Sequence, residues 1–196
     1  MGELFQFMKI TSKQPALFLD RDGVFIENRA NYVRSWEDVE FFPQALAALA
    51  RIQEVPYKII VVTNQSAVGR GIISLETAVA LNERILEVVR QANGRIDATY
   101  LCPAKPGTND PCRKPRPGML LQAAQEHNLD LSQSYMIGDA LTDIQAGQAA
   151  GVKQAMLLLT GRGTAQATLP QAQELPSFAT FTNLAQALSH LFPHQA

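Results

Sequence analysis

The chain has 196 residues, 46% of them hydrophobic and 18% charged, with a formal net charge of −1. That length suits one α/β domain over residues 1–196 with a real core, and the composition excludes a disordered or strongly polar chain. The near-zero charge gives no global pull toward nucleic acid or anionic lipid, so an anionic ligand must be met by a local basic cluster.

No apolar run approaches the roughly 20 residues that span a bilayer. The start, Met1 to Pro15, lacks a basic stretch followed by an apolar one. The expectation is a cytoplasmic monomer with neither nucleic-acid nor membrane partners. Cys102 and Cys112 are too few for a disulfide framework and fit a reducing compartment.

Short apolar runs alternate with longer amphipathic stretches. Ala16 to Leu19 predicts a buried strand ending at Asp20. Gly23 to Phe42 is too long for a simple turn and predicts a flap over the strand ends, with Trp36, Phe41 and Phe42 either shielding a site or anchoring the flap. Pro43 to Ile52 predicts a helix with proline in its first turn. Tyr57 to Val62 predicts a second strand, ending at Thr63. Ser74 is the N-cap of a helix running to about Gln91, where Asn93-Gly94 stops it. Ile96 to Leu101 predicts a third strand. Pro103 to Pro117 holds five prolines and one glycine and predicts a long surface loop, a functional candidate.

Beyond it come a helix (Pro117 to His127), a strand (Tyr135 to Ile137), a helix (Asp139 to Ala150) and a strand (Gln154 to Leu159). A Gly161-Arg162-Gly163 turn, a strand (Phe178 to Phe181) and a helix (Leu184 to Leu191) close the chain. Strand and helix in alternation predict a Rossmann-like three-layer α/β sandwich with a parallel central sheet. No segment is long enough for an inserted cap domain.

In such sheets ligands bind outside the carboxyl ends of the strands. The first strand delivers Asp20-Arg21-Asp22-Gly23 there, the second Thr63-Asn64-Gln65-Ser66, and the Tyr135 strand Gly138-Asp139 with Asp143 four residues on. Carboxylates gathered this closely repel one another unless a cation joins them. Mg²⁺ suits the set, with Asp20 and Asp139 as side-chain ligands, Asp22 through its backbone carbonyl, and phosphate oxygens completing the coordination. Phosphate monoesters hydrolyse so slowly that a covalent step is a natural solution. Asp20 is the candidate nucleophile, and Asp22 the group that protonates the leaving alkoxide and later activates water. Thr63 and nearby amides can hold the phosphoryl oxygens, and Lys114 can neutralise nucleophile and phosphate. Arg113 offers a bidentate fork; Arg70 and Arg34 are weaker candidates. Cys112-Arg113-Lys114-Pro115-Arg116 is thus the local basic cluster that the overall charge demands.

Asp20-Arg21-Asp22-Gly23-Val24, Thr63-Asn64-Gln65-Ser66, Cys112 to Gly118 and Gly138-Asp139-Ala140-Leu141-Thr142-Asp143, in this order and spacing, resemble the four signature segments of the haloacid dehalogenase-like phosphatases. Within them the chain resembles the subfamily of bacterial heptose 1,7-bisphosphate and histidinol phosphatases, over roughly residues 15 to 160. The resemblance implies the same catalytic set of Asp20, Asp22, Thr63 and Lys114 and the same Mg²⁺ ligands, Asp20, Asp22 and Asp139. It places Arg21, Asn28, Tyr32, Asn64, Gln65, Ser66 and Arg113 against a small phosphorylated substrate, first of all a sugar bisphosphate whose product feeds nucleotide-activated heptose for cell-surface glycans. Histidinol phosphate is the alternative substrate, and a silent phosphate-binding protein the alternative of another class. That subfamily folds its proline-rich loop around a structural zinc held by a Cys-x-His and a Cys-x-Cys pair. Here Ala104 and Asp110 replace two of the ligands, so no zinc is expected and the cysteines read as plain thiols. Ala140 stands where relatives often carry lysine.

Each residue also has a plainer reading. A single aspartate after a strand is usually a turn former, and arginine or lysine in a loop is usually solvated. Asp143 reads as a first-turn helix residue that suits the helix dipole or orients Lys114. His127, His190 and His194 fall outside the signature segments and receive no role.

Overall fold

The computed structural model describes residues 12–195. The expectation about the opening residues concerns mostly positions outside that range. Six strands, β1 (Ala16–Leu19), β2 (Lys58–Asn64), β3 (Ala98–Cys102), β4 (Tyr135–Gly138), β5 (Gln154–Leu158) and β6 (Ala179–Phe181), form one sheet in the order β3-β2-β1-β4-β5-β6. Every pairing is parallel. The helices are α1 (Pro43–Arg51), α2 (Ser66–Gly69), α3 (Leu75–Gln91), α4 (Gly118–Glu126), α5 (Leu141–Ala150), α6 (Gly163–Ala167), α7 (Pro170–Glu174) and α8 (Leu184–Leu191).

The period of two along each strand sorts its side chains into two cores. Leu17, Leu19, Ile59, Val61, Ile137, Met156 and Leu158 pack on one face with residues of α1, α3 and α8. Ala16, Phe18, Ile60, Val62, Met136, Ala155 and Leu157 pack on the other with residues of α4 and α5. Both faces of β1 are therefore covered, and all four of its residues are fully buried. Each such large apolar side chain contributes about 1.5–3 kcal/mol of burial. This is the three-layer arrangement expected from the alternation, and between β1 and β2 stand only one short 3₁₀ helix and α1, with no cap domain.

Helix ends follow local chemistry. The Ser74 side chain accepts from the Thr77 amide at the start of α3, and Asn183 does the same for Gln186 at the start of α8. Asn93 takes the left-handed conformation just past α3. The second strand runs two residues further than the sequence suggests, because Thr63 and Asn64 stay in register with Leu101 and Cys102. Among the described residues no helix is long and apolar enough to cross a membrane.

Successive strands step from β1 to β3 on one side, and the chain then returns to place β4 on the other side of β1. That reversal leaves a crevice beyond the carboxyl ends of β1 and β4, the place where such sheets bind ligands.

Candidate active site

Asp20 follows β1 and lines the crevice, and Asp139 follows β4 and is fully buried outside the lining. Asp143 joins them from the first turn of α5. Oxygens of Asp20, Asp139 and Asp143 lie within 4.8 Å of one another, and all three residues are buried. Lys114 enters from the loop after β3 and is 2% exposed, which is costly for an ammonium unless it is paired. Its Nζ lies 2.7 Å from Asp143 Oδ1 and 3.0 Å from Asp20 Oδ1, and it donates to the Val62 carbonyl at 2.7 Å. Asn64 fixes the backbone behind it: the Asn64 side-chain amide donates to the Lys114 carbonyl and accepts from the Lys114 backbone N–H, each at 3.1 Å.

The electrostatics show a shortage of positive charge. Burial resists the Lys114 charge, but Asp143 and Asp20 outweigh it and hold the ammonium above its usual pKa. Burial, reinforced by the charge of Asp20, raises Asp139. Burial also pushes Asp143 up to about 7, against the pull of Lys114. Lys114 and the more distant Arg162 guanidinium, 3.5 Å from Asp139, supply two positive charges to three buried carboxylates, and a hard divalent cation with oxygen ligands fits the remainder. Asp143 has a second task, accepting from the Ala140 amide at 3.0 Å and so capping α5.

Asp22 lies apart from this trio. Its carboxylate accepts from Arg21 Nη2 at 3.1 Å and from Gln65 Nε2 at 3.1 Å. Gln65 in turn donates to Thr63 Oγ1 at 2.8 Å. Arg21, Gln65 and Thr63 thus orient Asp22 and leave its carboxylate on the cavity wall. Arg21 departs from the expected set of substrate contacts: its side chain is fully buried beneath Asp22 and does not line the cavity. Thr63 is likewise fully buried under the lining.

The cavity measures about 430 Å³ and is lined by Asp20, Asp22, Asn28, Tyr32, Asn64, Gln65, Ser66, Arg113 and Lys114, all expected, together with Arg29, Ala30, Val33, Thr142, Asp143 and Arg162. Arg113 Nη1 donates to Ser66 Oγ at 2.9 Å and to the Ala104 carbonyl at 2.8 Å, which anchors one edge of the guanidinium. The flap from Gly23 to Phe42 does fold over the strand ends. Ile26 bridges Phe41, and Glu27 donates to the Glu40 carbonyl at 2.8 Å. Trp36, Phe41 and Phe42 pack against the core, and Arg84 of α3 sits 3.9 Å from the Trp36 ring, so these aromatics anchor the flap. Asn28 carries the flap to Asp139 by donating to Oδ2. Gly23 permits this approach: it adopts φ 82, and a Cβ there would run into Asp139 and Asn28. Tyr32 adopts φ 66, a conformation that non-glycine residues rarely take and that clusters at functional sites.

Arg162 was not anticipated. Its amide donates to Asp139 Oδ2 at 2.8 Å, and its guanidinium lies 3.5 Å from Oδ1. A weaker signal is present, since Arg162 stands four residues past the end of β5, at the same edge of the sheet where Asp20 and Asp139 directly follow β1 and β4.

One expectation is overturned. Cys102 and Cys112 are not plain thiols but a disulfide, with Cα atoms 5.6 Å apart. The loop after β3 turns back on itself, so that Cys112 returns beside Cys102 at the strand end; a separation of ten residues in sequence carries no information about that distance. Asp110 accepts from the Cys112 amide at 2.9 Å in the same turn. The link ties Arg113 and Lys114, the next two residues, to the sheet. Thiol titration of the unfolded, unreduced chain should therefore find no free cysteine, and reduction should lower stability by about 2–3 kcal/mol from loop-closure entropy. Two titratable thiols before reduction would refute the link.

Comparison with known proteins places this arrangement. The HAD-hydrolase-like family profile matches residues 111–187. A D-glycero-β-D-manno-heptose-1,7-bisphosphate 7-phosphatase of Helicobacter pylori is 40% identical over 145 residues, covering 74% of this chain and 83% of that protein. The enzyme of the same name from Neisseria meningitidis is 36% identical over 161 residues, covering 82% and 84%. The crystal structure of D,D-heptose 1,7-bisphosphate phosphatase from B. bronchiseptica, complexed with magnesium and phosphate, superposes with a TM-score of 0.84 at 31% identity, covering 92% of this chain and 99% of that one. The chain belongs to the haloacid dehalogenase-like hydrolase family, in the branch of the heptose-bisphosphate phosphatases.

Proposed function

We propose that the chain is a phosphatase that removes the 7-phosphate from D-glycero-D-manno-heptose 1,7-bisphosphate through an aspartyl-phosphate on Asp20. The observation that carries this reading is the pairing of Asp20 with Lys114 at 3.0 Å inside a trio of buried carboxylates, at the strand ends of this fold. The names of the relatives supply the heptose. Residues 1–196 act as one catalytic domain in this reading, supported by the single sheet that joins all the described strands.

Asp20 Oδ1 is held by the Arg21 amide at 2.8 Å as well as by Lys114, which fixes the carboxylate and assigns attack on phosphorus to Oδ2. As the bond from phosphorus to the sugar oxygen breaks, Asp22 gives its proton to that oxygen. The ionised Asp22 then takes a proton from water, which attacks the aspartyl-phosphate, frees phosphate and restores Asp20. Lys114 offsets the charge that gathers on the phosphoryl oxygens. Asp20, Asp139 and the Asp22 carbonyl would hold Mg²⁺, which would lower the repulsion between nucleophile and phosphate. Structural zinc has no place in this account, because Ala104 and Asp110 stand at two ligand positions and both cysteine sulfurs are joined to each other.

The test is phosphate release from the heptose bisphosphate and from histidinol phosphate side by side, with Mg²⁺ and after chelation. Turnover should require Mg²⁺ and favour the heptose bisphosphate. Faster hydrolysis of histidinol phosphate would reassign the substrate, and release from neither would end the phosphatase reading.

A further inference from the structure

Three arginines line the cavity, and they are not equivalent. Arg29 is committed to the flap: its Nε donates to the Asp38 carbonyl at 2.7 Å and its Nη2 to Glu40 at 3.0 Å. Arg113 and Arg162 remain. The sheet order puts β3 two strands to one side of β1 and β5 two strands to the other. The loops after these strands carry Arg113 and Arg162, so the two guanidiniums flank Asp20 from opposite halves of the sheet.

The base of Arg162 is rigid. Its amide is tied to Asp139, and the preceding Gly161 sits at φ 54, where a Cβ would lie 2.5 Å from the Gly23 Cα. The end of its side chain is not: the side chain is 58% exposed, and its contact with Asp139 at 3.5 Å is too long for a strong hydrogen bond. A cation bound at Asp139 would compete for that carboxylate. Arg113 shows the opposite design, with one edge clamped by Ser66 and Ala104. Burial lowers its pKa, and the nearby charges of Arg70 and Arg162 lower it further. Like charges gathered at a cavity mouth are relieved by an anion, and the phosphate attacked by Asp20 is already met by Lys114.

We propose that Arg162 is a specificity-determining residue which, with Arg113 across the cavity, holds a second phosphate of the substrate, the one that is not transferred. The site then distinguishes a bisphosphorylated sugar from the same sugar carrying only the phosphate that is cleaved. This inference rests on the phosphatase reading above.

The experiment compares the wild-type enzyme with Arg162→Gln and Arg162→Lys on the heptose 1,7-bisphosphate and on the heptose 7-phosphate, both of which would lose the same phosphate. Arg162→Gln should lower kcat/KM for the bisphosphate about 10- to 100-fold, mainly through KM, as expected for losing one charge-assisted contact. The loss on the monophosphate should be much smaller, and lysine should restore part of the difference. Equal losses on the two substrates would mean that Arg162 acts through Asp139 and would overturn the inference. So would no loss on either. A wild-type enzyme inactive on both substrates would instead overturn the phosphatase reading, and this inference with it.

Discussion

Asp20→Asn should abolish turnover, with a loss on the order of 10⁴-fold or more, while leaving the fold intact. Asparagine preserves the shape of the side chain and can still accept from the Arg21 amide, the bond that now measures 2.8 Å. What it removes is the anionic oxygen that attacks phosphorus. It also removes one of the two carboxylates that offset the buried Lys114 ammonium, but Asp143 at 2.7 Å remains. Circular dichroism and thermal melting should thus match the wild type while phosphate release vanishes. Substantial residual turnover would show that the covalent step does not run through Asp20.

The second large effect should come from Lys114→Met, and it should differ in kind. Lys114 is the only ammonium that the described residues place among the buried carboxylates, and its removal leaves Asp20 and Asp143 facing each other without compensation. Breaking a buried pair on one side costs about 3–5 kcal/mol, so melting should fall by roughly 10 °C. Turnover should fall by about 10²–10³-fold as well, the scale of losing one electrostatic donor to a transition state. Adding Mg²⁺ should recover part of the stability, because binding to the native state alone adds stability by mass action. If the Lys114→Met protein melted at the wild-type temperature, the carboxylates would have to be discharged in some other way.

The elements most legible in the sequence were those whose apolar period runs through the whole segment. β1 and α8 have the expected bounds, and α3 begins after the expected Ser74 cap. The pieces that escaped are short. Four residues in α2 and five each in α6 and α7 complete too few turns to show a period, and their helical form is set by what they pack against. The third strand starts later than expected because Asp97 turns its side chain to the backbone, accepting from the Ile59 amide at 2.8 Å.

The site was legible for a different reason. A parallel sheet places the residues after each strand at one edge, so a rule about position in sequence became a rule about position in space. It located Asp20, Asp22, Asp139 and the Thr63 to Ser66 run without any knowledge of distance. It could not show that Arg21 would turn beneath Asp22, since the choice between cavity and core depends on a side-chain path. Nor could it show the disulfide, which depends on the loop after β3 bringing two Cα atoms within 5.6 Å. Arg162 was within its reach, but there the Gly161-Arg162-Gly163 sequence pointed only to a turn.

The most direct measurement of the account is to locate the phosphoryl group in the enzyme during turnover. Protein mixed with Mg²⁺ and heptose bisphosphate, quenched in acid and digested, should carry one phosphoryl group on the peptide that contains Asp20, and the Asp20→Asn protein should carry none. Phosphate release with no phosphoprotein intermediate, or with the phosphoryl group on another residue, would contradict it.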